Sequence, residues 1–224
     1  MREVVLDTET TGFKPDDGHR IVEIGCVELL NHLPTGRQKQ WYLNPERDVP
    51  EDAARVHGLT TAFLVKFPVF GDVAGEMLDF LGDAPLVAHN AGFDLAFLNA
   101  ELRRLGLPAL PASRAIDTVQ MARQRFPGAQ ASLDALCKRF GIDNSGRSLH
   151  GALLDATLLA EVYLELLGGR QTGFTLTAAA GAVVAAPVAR RLPRVARAHG
   201  ATAEEEEAHR GLLGQLKNPI WLSG

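Results

Sequence analysis

The stretch Val4-Val5-Leu6-Asp7-Thr8-Glu9-Thr10-Thr11-Gly12 decides how this chain is read. Val4, Val5 and Leu6 make a short apolar, β-branched run, the pattern of a buried central strand. Residues i and i+2 of a strand face the same side. Asp7 and Glu9 therefore project two carboxylates side by side at the end of a buried strand. Like charges held that close cost free energy unless a cation neutralises them. Hard oxygen donors select Mg²⁺ or Mn²⁺. Taken alone, the pair reads more simply as a solvated strand end carrying two surface acids.

Two further acids change that balance. Leu86-Val87-Ala88-His89-Asn90-Ala91-Gly92-Phe93-Asp94 reads as strand, turn and helix start. Asp94 sits in the first turn of an otherwise apolar helix, where the helix dipole alone would favour an acid. It is also the only charge between Asp83 and Glu101. Asp155 lies in Leu149-His150-Gly151-Ala152-Leu153-Leu154-Asp155-Ala156, again among apolar neighbours, where a carboxylate needs a partner. On one continuous helix, His150 and Asp155 would diverge by about 140°. His150 is therefore expected on the loop entering the helix, able to swing over a site anchored by Asp155.

Outward from these motifs the body alternates strand and helix patterns. Strands are expected at 4–6, 21–30, 38–43, 86–88 and 115–116, with Pro34-Thr35-Gly36 as the turn between the second and third. Helices are expected at 50–55, 70–81, 93–105, 118–126, 133–140 and 151–167. Ser132 is a candidate N-cap, and Asp117-Thr118 another. The order implies an α/β fold in which a mixed sheet is flanked by helices. The 224 residues, 46% hydrophobic and 22% charged, suffice for one ordinary domain and an appendage. Cys26 and Cys137, far apart in apolar contexts, read as buried free thiols. No run of about 18 apolar residues marks a membrane helix, and the start is not that of a secretory signal.

Charge is unevenly spread. Residues 1–168 carry 16 Lys/Arg against 23 Asp/Glu, and the remainder seven against four. An acidic body argues against gripping long nucleic acid by bulk electrostatics, though not against holding a few nucleotides through metal ions. Residues 178–208 hold twelve alanines and two prolines and read as a linker. Leu212, Leu213, Leu216, Ile220, Trp221 and Leu222 then make 209–224 a docking segment rather than a frayed end.

The set Asp7-x-Glu9, Asn90-x3-Asp94 and His150-x4-Asp155 resembles the histidine branch of the DEDD exonucleases. More closely, residues 4–12, 21–25, 56–58, 89–97, 126–128, 132–137 and 149–162 resemble the proofreading epsilon subunits of bacterial DNA polymerase III. The resemblance covers 1–169 and departs only in loops such as 16–18 and 107–113. It implies a ribonuclease H-like, five-stranded sheet with a flexible C-terminal tail. It also implies a 3′→5′ exonuclease acting on single-stranded or frayed 3′ DNA ends in a cytoplasmic replisome. Asp7, Glu9, Asp94 and Asp155 would hold two divalent cations, the arrangement for in-line phosphoryl displacement. The second cation is expected to bind weakly until a DNA end arrives.

His150 would be the general base, so activity is expected to rise with pH through about 6–8 as the imidazole becomes neutral. Thr10, Thr11, His57, His89, Asn90 and Phe93 are candidate contacts to the terminal nucleotide, set against capping, turn or core roles. Gln171-Thr172-Gly173-Phe174-Thr175-Leu176 resembles a sliding-clamp peptide anchored by Gln171, Phe174 and Leu176. The polymerase alpha subunit would take the end segment, and a small accessory subunit is a further partner. Two rival readings are an RNA-trimming exonuclease of the same superfamily and a non-catalytic polymerase scaffold.

Overall fold

A computed structural model describes residues 1–147, 149–169 and 200–215. The chain divides after Phe174 into a larger and a smaller unit. The larger unit is built on five strands: β1 (Arg2–Thr10), β2 (Ile21–Leu30), β3 (Leu33–Tyr42), β4 (Leu86–Ala88) and β5 (Ala115–Asp117). Their spatial order is β3-β2-β1-β4-β5. β1 pairs antiparallel with β2, and β2 with β3, whereas β4 and β5 run parallel to β1. This is the mixed sheet expected from the sequence, with the Asp7/Glu9 strand at its centre.

One turn lies elsewhere than expected. The β2–β3 hairpin closes through Asn31 and His32, both with positive φ (51° and 67°), and Leu30 pairs with Leu33. A two-residue loop of this kind matches the strand twist only with both φ values positive. Pro34-Thr35-Gly36 instead lies inside β3, at a register irregularity opposite Val27 and Leu29. Proline is tolerated there because β3 is an edge strand.

Helices cover both faces. On one, α3 (Phe70–Leu81) and α4 (Ala91–Arg104) bury Met77, Phe97 and Leu98 against Val4 and Leu6 of β1. On the other, α5 (Thr118–Arg125), α6 (Leu133–Phe140) and α7 (Ala152–Leu166) bury Leu136, Cys137 and Val162 against Val5. Ser132 caps α6 by accepting from Ala135 N, and Asp117 caps α5 by accepting from Val119 N. Cys26 and Cys137 are buried and free. Two short helices, α1 (Glu51–His57) and α2 (Thr61–Leu64), follow the hairpin, the second without a sequence signal strong enough to foresee it.

The start of α7 is seated directly on β2. A Cβ on Gly25 would lie 2.2 Å from the Ala152 carbonyl carbon and 2.2 Å from Leu153 N. Gly151, the N-cap of α7, offers no side-chain acceptor. The buried Glu23 carboxylate faces the backbone N–H groups of Ala152 and Leu153, which favour its charged form.

In the smaller unit, α8 (Ala203–Leu213) begins with a reciprocal Thr202/Glu205 capping box. It runs across the boundary at 208/209 between the expected linker and docking segment. Alanine is the strongest helix former, and the capping box gives it a start that composition alone hides. The expected clamp peptide at 171–176 and the Trp221 region lie outside the described residues. No helix among the described residues is long and apolar enough to cross a membrane.

Gly25→Ala should force α7 off β2. We expect a loss of at least about 2 kcal/mol in urea denaturation, because the clash is with backbone and not with a movable side chain.

Candidate active site

The carboxyl ends of the parallel strands β1, β4 and β5 lie at one edge of the sheet, the usual ligand-binding edge of an open α/β sheet. Alternation along β1 sends Asp7 and Glu9 to the α7 face, together with Val5, and Thr8 to the α4 face, together with Val4 and Leu6. Asp155, in the first turn of α7, approaches from the first face. Asp94, in the first turn of α4, approaches from the second and accepts a 2.7 Å hydrogen bond from Thr8 Oγ1. The four acids converge where the strand ends. Glu9, Asp94 and Asp155 are buried, and ligand atoms of Glu9, His150 and Asp155 all lie within 4.8 Å of one another.

His150 sits outside the helix, two residues before its first residue, with its side chain half-exposed. Its backbone N–H donates to Val56 O at 3.0 Å, tying the loop to α1. Its Nδ1 is 3.5 Å from Asp155 Oδ2.

Burial and crowding perturb Asp7, Glu9 and Asp94 strongly. Burial, then the Asp94, Glu9 and Asp155 charges, hold the Asp7 carboxyl well above the ordinary carboxylate range. Burial first, and then Asp155, push Glu9 up to about 8, with Arg147 opposing. Burial lifts Asp94 to about 7, with the Thr8 hydroxyl opposing. A pocket containing titratable groups shifted by desolvation and a like-charged neighbour is the usual mark of a functional site.

Two adjoining pockets open onto this cluster. The one of about 290 Å³ is lined by the four acids with His89, Asn90, Phe93, Asp134, Arg147 and His150. The other, about 570 Å³, is lined by Thr8 to Phe13, His19, Val56, His57 and Phe93 among others. Phe93 belongs to both and packs against Phe97 in a tilted pair with ring centroids 4.9 Å apart. All six expected nucleotide contacts therefore border these pockets, but several polar groups are already engaged. Thr10 Oγ1 donates to Gly12 O, while Thr11 Oγ1 accepts from Arg20 N and lies 3.1 Å from His19 Nδ1. His57 Nδ1 accepts from Leu59 N, and burial lowers its basicity. His89 Nδ1 lies 2.9 Å from the Thr118 hydroxyl, and burial lowers this imidazole too. Asn90 caps α4 in the left-handed region, with its N–H donating to Asp117 Oδ1. Gln171, Phe174 and Leu176 lie outside the described residues.

Several participants escaped the sequence reading. Arg147 Nε and Nη2 each donate at 2.6 Å to Asp155. Phe13, 87% exposed, stands at the mouth of the larger pocket. Glu23 seats α7 and adds its charge to those acting on Asp7 and Glu9. A lone arginine or phenylalanine in a loop carries no periodic signal. Gly12-Phe13 directly after the acid-bearing strand was the only available hint.

Residues 4–163 match the RNase_T family, described as exonucleases. The chain belongs to the RNase_T exonuclease family. Curated relatives named DNA polymerase III subunit epsilon are 56% identical in Rickettsia felis, over 79% of this chain and 78% of that one. In Salmonella typhimurium the figure is 49%, over 78% and 74%. Among solved structures, exonuclease X in complex with 5′ overhanging duplex DNA is 27% identical with TM-score 0.58, covering 73% of this chain and 90% of that one. The nuclease domain of 3′hExo, a DEDDh family member bound to rAMP, is 23% identical with TM-score 0.65, covering 74% and 91%. The fold is thus ribonuclease H-like, and the chain is a 3′→5′ exonuclease.

Dependence on a divalent metal is expected of this exonuclease family. The donor set here fits: hard carboxylate oxygens, largely buried, whose mutual repulsion only added positive charge relieves.

Without metal, Glu9 holds its proton up to about pH 8 in the folded chain but releases it near its ordinary value when unfolded. Between those limits the native state binds more protons, so stability falls as pH rises. In EDTA the melting temperature should therefore drop from pH 6 to pH 9. Saturating Mn²⁺ should flatten that slope, as scanning calorimetry would show.

Proposed function

We propose that this chain is the proofreading exonuclease of a bacterial DNA polymerase III, hydrolysing the 3′-terminal phosphodiester of mispaired or single-stranded DNA with two divalent cations. One observation carries the reading. Asp7, Glu9, Asp94 and Asp155 meet at the end of β1, with His150 beside them, in a chain about half identical to epsilon subunits.

The roles follow from position. The four carboxylates would hold the cations, Mg²⁺ or Mn²⁺, which when bound supply charge neutralisation at the phosphate and a more acidic attacking water. His150, on the exposed side of the cluster, accepts the proton of that water. The terminal base and sugar occupy the larger pocket, where Phe93, Phe13 and Val56 offer sequence-tolerant apolar contacts. The backbone and hydroxyls of Thr10 and Thr11 shape its wall. His57 and His89 line the pockets as positioning groups, each held through Nδ1, and Asn90 turns the chain into α4.

The body at 1–169 would be the exonuclease domain. Gln171, Phe174 and Leu176 in segment 170–177 would bind the sliding clamp. The remainder, including α8, would serve as tether and alpha-subunit anchor, in a cytoplasmic replisome whose small accessory subunit would bind the body. The naming of the relatives favours this over an RNA-trimming enzyme, and the complete acid set disfavours a non-catalytic scaffold.

The test is release of deoxynucleoside monophosphates from a mismatched primer end, with and without Mg²⁺, against a short RNA. Asp7→Ala should abolish the metal-dependent release. His150→Ala should lower kcat by about 10²- to 10⁴-fold with little change in KM, as expected on losing a general base. Faster digestion of RNA than of mismatched DNA would overturn the proofreading assignment.

A further inference from the structure

Arg147 precedes α7 and reaches into the acid cluster. Its Nε and Nη2 donate at 2.6 Å to the two oxygens of Asp155. Nη1 donates at 2.8 Å to Asp134 Oδ1, and Nη2 lies 2.9 Å from His150 Nδ1. The Arg147 side chain is 8% exposed and that of Asp155 is 4%, so this is a buried, bidentate pair.

Two consequences follow from donor and acceptor inventory alone. Both Asp155 oxygens are occupied by a cation the chain itself provides. A guanidinium can only donate, so His150 Nδ1 accepts. In a neutral ring the proton is then on Nε2, which cannot take another from water. One side chain thus engages two of the groups assigned above to catalysis, a carboxylate and the base.

We propose that Arg147 is a resident counter-ion that latches the metal-free site, occupying Asp155 and His150 until divalent cations displace it toward Asp134. This rests on the cation-site reading given above. Asp134 is a ready landing place: it is largely exposed on the first turn of α6, is already paired with Arg147, and is held by Asn144 Nδ2 at 3.0 Å. Arg147 therefore need only release Asp155 and His150 while keeping one ion pair. Breaking a buried charge pair is costly unless another charge replaces the one removed. The latch thus weakens metal binding, while covering the carboxylate charge in the metal-free protein.

The experiment is Mn²⁺ binding to the full chain without DNA, by calorimetry and by loss of the free-Mn²⁺ electron paramagnetic resonance signal. Arg147→Ala should bind Mn²⁺ about tenfold more tightly, the gain from removing a buried competitor. Its metal-free form should melt below wild type, and the gap should close at saturating Mn²⁺. Equal or weaker Mn²⁺ binding by Arg147→Ala would overturn the latch. Should that variant fail to fold without metal, Arg147→Gln decides: it keeps a hydrogen-bond donor but removes the competing charge, so it too should bind Mn²⁺ several-fold more tightly than wild type, and unchanged or weaker binding would equally overturn the proposal. Asp155→Ala separates the two readings: if it binds Mn²⁺ as wild type does, the cation site itself is wrong. A failed latch leaves that control weakened as expected.

Discussion

Repulsion among four carboxylates at the end of β1 is the constraint around which the larger unit is organised. Burial and the neighbouring charges raise Asp7, Glu9 and Asp94 above the range where free acids ionise. Such a grouping is unfavourable by itself, and the fold must impose it. β1 fixes Asp7 and Glu9, the Thr8 hydroxyl steadies Asp94, and the seating of α7 on Gly25 and Glu23 fixes Asp155. The large cores on both faces of the sheet supply the free energy that holds these parts together. The gathering of these carboxylates is then a property of the whole architecture rather than of any one motif.

Much of this was legible in the chain. Alternation in β1, the apolar surroundings of Asp94 and Asp155, and the cap at Ser132 are local signals, and each marks its element correctly. A mixed sheet follows from short connections among the first three strands and from the helices that separate the rest, whereas the spatial order of the strands came only with the structure. The hairpin turn was misplaced because Pro34 and Gly36 are louder punctuators than Asn31-His32. Only the register irregularity explains how the edge strand absorbs them. Helix α8 was hidden by an alanine-rich composition whose capping box decides its state.

Arg147 and Glu23 were invisible for a different reason. Their significance lies entirely in tertiary contacts: one with a carboxylate eight residues on, the other with the start of a helix more than a hundred residues away. No periodicity announces such partners. The same holds for the larger pocket as a whole, whose walls come from four separate stretches: 8–13, His19, 50–57 and Phe93. Sequence patterns singled out the acids, His150 and six residues that border the pockets; Arg147, Glu23 and Phe13 needed coordinates.

Asp94 reaches the cluster from one face of the sheet and Asp155 from the other. Detachment of either helical layer would scatter the quartet before the sheet itself came apart. Assembly of the quartet therefore serves as a checksum on complete folding: a nascent or partly melted copy does not bring the four acids together.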